Sequence, residues 1–87
     1  MKKGPVDPDE IIARMLARTG KTIVDSAVLY DVAEALLQIG RPDLAAQYAS
    51  RAYGMALVEK DSSAAARALT FIVSSLGADG RRVLLDL

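Results

Sequence analysis

The chain contains no cysteine, no histidine, no tryptophan and no asparagine. Without cysteine there is no disulfide and no thiolate metal site. Without histidine the commonest general base and the commonest metal ligand are both missing. Aromatics are few, at three tyrosines and one phenylalanine. Charge of one sign is also lacking, because eleven Lys and Arg balance eleven Asp and Glu. A zero balance speaks against sequence-independent nucleic-acid binding, which needs a basic surface. No long run of uncharged apolar residues is present, so no membrane span is expected. Met1-Lys2-Lys3-Gly4-Pro5 is not followed by an apolar stretch of signal-peptide length, and no lipidation motif is found. These absences set an expectation of a soluble cytoplasmic protein.

What is present is ordinary globular composition on a small scale. Leu, Ile, Val and Phe make up 24 of 87 residues, well above the level of disordered chains. One domain covering 1–87 is expected, and so small a domain has a marginal core.

Glycine and proline divide the chain into periodic segments. Gly20, Gly40 and Gly77 each follow an apolar-periodic run, where a helix ends, and Pro8 and Pro42 sit where proline opens one. The reading predicts an all-α fold of four helices over about 8–19, 24–39, 42–58 and 62–76. They would be arranged as two antiparallel hairpins with a short apolar tail over 79–87. Asp7 is the expected N-cap of the first helix, Thr22 or Asp25 of the second, and Asp61 or Ser62 of the fourth. The predicted core stripes are Ile11, Ile12, Met15 and Leu16; Val24, Val28, Val32, Ala35, Leu36 and Ile39; Leu44, Ala45, Tyr48, Ala49, Ala52, Met55 and Ala56; and Ala65, Ala68, Leu69, Ile72, Val73 and Leu76. The second helix has a further apolar face of Leu29, Ala33 and Leu37, which marks it as central. The tail, with Val83, Leu84, Leu85 and Leu87, is either a final docked helical turn or a free adhesive end.

Residues 26–59 contain Val32-Ala33, Leu36, Gly40, Ala45 and Ala52 at helix–turn–helix spacing. This stretch resembles one tetratricopeptide repeat, a 34-residue helical hairpin. In that resemblance Gly40 matches the turn glycine, and Ala45 and Ala52 match the small residues of the second helix. Val32-Ala33 stands for the usual Leu-Gly, and Leu36 for a tyrosine. Leu29, Ala49 and Leu57 depart from the expected tryptophan, aromatic and closing proline. A weaker second copy would end its first helix at Gly77. The resemblance implies peptide or protein binding, but the Lys, Asn and Arg set of a carboxylate clamp is missing. Independently, Ala33, Ala45, Ala49 and Ala52 mark a close helix–helix seam, because small side chains let axes approach.

Candidate chemistry is thin. Asp31 and Glu34 share a helical face, and Asp7, Asp9 and Glu10 cluster at a helix start. The first pair reads as a solvated strip and the second as capping and dipole complementation. Arg14, Arg18 and Lys21 form a basic cluster at the end of the first helix, and Arg81 and Arg82 precede the tail. No serine has a nucleophile setting, and no glycine loop could cradle phosphate. No enzyme activity, metal or cofactor is expected.

The function expected is a protein–protein interaction module, of adaptor, assembly or chaperone-like type. Tyr30, Arg14, Arg18, Leu37 and Tyr53 are the candidate partner-binding residues, and the groove lined by the first and second helices is the expected place for a partner peptide. Because so few repeats rarely stand alone, a homodimer is expected through the fourth helix and tail, using Phe71, Val83, Leu84, Leu85 and Leu87. The alternatives are a nucleic-acid-binding regulator using Gln47, Ser50 and Arg51, a ligand-binding or catalytic bundle, and a designed sequence without evolved function. Nucleic acid is not the expected partner, since the reading helix has a single cation.

Overall fold

A computed structural model of the chain describes residues 7–86. Among them the chain is wholly helical, with five helices and no strand. These are α1 (Pro8–Thr19), α2 (Ser26–Gln38), α3 (Pro42–Val58), α4 (Ser62–Ser75) and α5 (Gly77–Asp86).

The caps follow from local chemistry. The Asp7 carboxylate accepts from the Asp9 amide at 3.0 Å, and Pro8 opens α1 at a position that needs no N–H. Asp25 caps α2 through the Val28 amide, and Asp61 caps α4 through the Ala64 amide, each at 3.0 Å. The Asp25 carboxyl is held below its ordinary range by the Val28 amide and then by Lys21, whose ammonium lies 3.0 Å away. Helix α3 has no side-chain cap. Pro42 removes one orphan donor there, and the Arg41–Asp43 ion pair at 2.9 Å braces the turn. That guanidinium pulls the Asp43 carboxyl down to about 2.

Two turns are built alike. Gly40 and Arg41 donate to Leu37 and Leu36 carbonyls at 3.0 and 2.9 Å. Twenty residues on, Lys60 and Asp61 donate to Leu57 and Ala56 carbonyls at 3.1 and 2.9 Å. Both pairs close a helix with a left-handed residue, Gly40 at φ 84° and Lys60 at φ 59°. The second is a lysine where glycine fits without a steric cost.

Helices α2 and α3 form the centre and run antiparallel. At one end they are joined by the Gly40 turn. At the other the Glu59 carboxylate, just past α3, receives the Ser26 amide at 3.0 Å and the Ser26 hydroxyl at 2.6 Å. Glu59 thereby satisfies a backbone donor that the start of α2 leaves open. Val28, Val32 and Leu36 of α2 are buried against Ala45, Ala49 and Ala52 of α3, and Ala33 is buried with them. Among the described residues helix α1 packs on α2 alone, α4 packs on α3 and touches α2, and α5 rests on α4 and α3. The result is a flat molecule of 41 × 32 × 17 Å.

The four-helix expectation needs three corrections. First, the residues assigned to a tail form α5. Gly77, at φ 57°, turns the chain, and Gly80, Val83 and Leu84 then share one helical face toward the core. Second, α2 starts at Ser26, so Val24 precedes it. Ile39, read as core, is the C-cap and is 55% exposed, while Val73 of the predicted α4 stripe is 61% exposed. Third, the surface assigned to self-association is largely consumed within the chain. Phe71 is buried, with its ring 5.4 Å from the Tyr30 ring at 65°, and Val83 and Leu84 pack on the core. Leu85 alone of that set is open, at 84% exposure, and Leu87 lies outside the described residues.

Gly80 is the closest approach of α5 to the body. A Cβ there would run into the Ile72 carbonyl oxygen and lie 3.0 Å from the Leu76 Cβ. Backbone cannot yield as a flexible side chain can. Gly80→Ala is therefore expected to cost about 1–3 kcal/mol, seen as a lower Tm and faster amide exchange across α5. Lys60→Gly should act the other way and raise stability by about 0.5–1 kcal/mol, measured by urea unfolding.

Candidate interaction groove between α1 and α2

Helix α1 carries its apolar residues Ile11, Ile12, Met15 and Leu16 toward α2, but none of its residues is fully buried. The helix covers only part of the α2 surface. On one flank an open groove of about 340 Å³ remains, lined by Ile11, Arg14, Met15 and Arg18 of α1 and by Ala35 and Ile39 at the end of α2. Its floor is apolar. Among the described residues its only charged ones are the two arginines, four positions apart and so on one helical face.

Neither arginine is tightly engaged. The Arg14 guanidinium is 3.9 Å from the Glu10 carboxylate, with both side chains largely in solvent. Arg18 donates to the Met15 sulfur at 3.2 Å, and among the described residues no carboxylate pairs with it. Adjoining this groove and sharing Met15, Arg18 and Ala35 with it is a more polar groove with Asp31, Glu34 and Gln38.

The structure thus brings Arg14 and Arg18 together and leaves the other three predicted partner residues elsewhere. Tyr30 lies between α2 and α4 beside Glu34, Arg67, Thr70 and Phe71. The Arg67 guanidinium is 5.5 Å from its ring centre. Burial, with the Glu34 charge adding to it, raises the Tyr30 phenol above its ordinary range. Leu37 and Tyr53 are half-buried against the core and line neither groove of α1. Tyr48, buried, has Arg51 stacked at 4.6 Å from its ring centre.

All four apolar groove residues, Ile11, Met15, Ala35 and Ile39, are ones that the sequence reading assigns to the core. Their spacing marks an apolar face, and spacing alone cannot say that the neighbouring helix stops short of covering it. Among the described residues no three potential metal-ligating side chains converge. No described helix is long and apolar enough to cross a membrane. No family model, curated protein or solved structure matches the chain.

The groove residues are separable from the core. Ile39→Gln should leave stability within about 0.5 kcal/mol, whereas Leu36→Ala, three residues earlier and fully buried, should cost about 2–5 kcal/mol. Paired denaturation curves check both values.

Proposed function

We propose that this protein is an interaction module that holds a segment of a protein partner in the α1–α2 groove. One observation carries the reading: an open apolar floor, with Ile39 more than half exposed, bounded by a helix that packs on a single neighbour. Grooves between helices with an apolar floor and polar rims are a recurrent way to bind a peptide. The tetratricopeptide-like reading of 26–59 belongs to the same proposal. It is supported by the antiparallel α2–α3 pair, by the left-handed Gly40 turn and by the burial of Ala45 and Ala52. The two arginines on the rim are too few for tight hold on a nucleic-acid backbone, so a protein segment is the better occupant.

Peptides selected from a random display library against the whole chain test this. They are expected to shift backbone amide NMR signals of α1 and the last turn of α2. They should also bind at least tenfold more weakly to Ile39→Asp, a variant that keeps its Tm within a few degrees. Selected peptides that shift only α3–α5 signals and ignore Ile39→Asp would overturn the reading.

A further inference from the structure

The rim of the groove says more about its occupant. We propose that the segment bound there is an acidic amphipathic helix, with two carboxylates about one turn apart that pair with Arg14 and Arg18; this rests on the groove being the binding site. The floor of Ile11, Met15, Ala35 and Ile39 asks for an apolar stripe. The two guanidinium groups stand four residues apart on α1, a rise of about 6 Å. Carboxylates at positions i and i+4 of a helix lying alongside α1 meet that spacing. Both arginines have donors to spare, one holding a long contact to Glu10 and the other a sulfur. Arginine suits such pairing because its planar fork can give a carboxylate two parallel hydrogen bonds.

Charge complementarity also argues against occupants from this chain. The segment before Asp7 carries Lys2 and Lys3 and no acid. On α5 the exposed Leu85 has Arg82 and Arg81 three and four residues before it, both exposed, with Arg82 3.6 Å from the Asp79 carboxylate. The first segment, and Arg81 of the second, would bring cations to a cationic rim.

The probe is a pair of labelled amphipathic helical peptides with the same leucine stripe. One carries glutamate at two flanking positions four apart, and the other carries lysine at the same positions. In fluorescence anisotropy at low salt the glutamate peptide is expected to bind the whole chain about tenfold or more tightly than the lysine peptide. The preference should shrink in 0.5 M sodium chloride, since rim charges are screened, and should reverse with the Arg14→Glu/Arg18→Glu variant. Both sites are exposed, and a far-ultraviolet circular dichroism melt confirms that the variant folds. Equal binding of the two peptides, or a preference that survives the charge reversal, would overturn the acidic assignment. If display-selected peptides occupy the groove but carry no excess of acid, this inference fails while the interaction reading stands. If none occupies the groove, both fail.

Discussion

The seam between α2 and α3 is the constraint on which the rest depends. Helix α2 supplies bulk in Val28, Val32 and Leu36, and α3 answers with alanines at 45, 49 and 52. Large residues facing small ones let two helices close to a short axial distance and exclude water along the contact. Both ends of the seam are then fastened, one by the Gly40 turn and the other by Glu59 across to Ser26. The remaining helices lean on this pair. Helix α1 uses the free side of α2, while α4 uses chiefly α3 with an edge on α2, and α5 uses α4 and α3. Loosening the seam would therefore remove the support of every other element at once.

The helical elements were legible because their punctuation is chemical. Asp7, Pro8, Gly20, Gly40 and Pro42 each do locally what their backbone or side chain permits, and the bounds of α1 and α3 coincide with the expectation. The legibility ends where a residue type masks its conformation. Lys60 holds the same left-handed turn as Gly40, yet nothing in a lysine announces it. Helix α5 was hidden by glycine in the opposite sense. Gly77 and Gly80 within ten residues argue against a helix by propensity, but here one makes a turn and the other makes room for the Ile72 carbonyl. Tertiary packing outweighs the propensity, and Val83 and Leu84 then bury what the sequence left open.

The interaction surface was legible only in part, for a related reason. Spacing alone puts Arg14 and Arg18 on one helical face, and the structure makes that face the rim of the groove. Tyr30, expected as a partner contact, is instead packed edge to face against Phe71 of α4. Periodicity says which residues share a face. Only the packing of neighbouring helices says whether that face is covered.

The placement of the groove follows from how the helices share neighbours. Helix α3 contacts three others, whereas α1 contacts one. An element with one neighbour and no fully buried residue opens at lower free-energy cost than the centre does, and binding surfaces are drawn from such regions. A segment seated between α1 and α2 would give α1 the second neighbour that the fold does not provide. Its apolar floor would be covered and its arginines paired, and the ordering of α1 would be coupled to occupancy. The proposed site and the most weakly supported helix are thus the same place, for one physical reason: α1 leaves Ala35 and Ile39, at the end of α2, open on its flank.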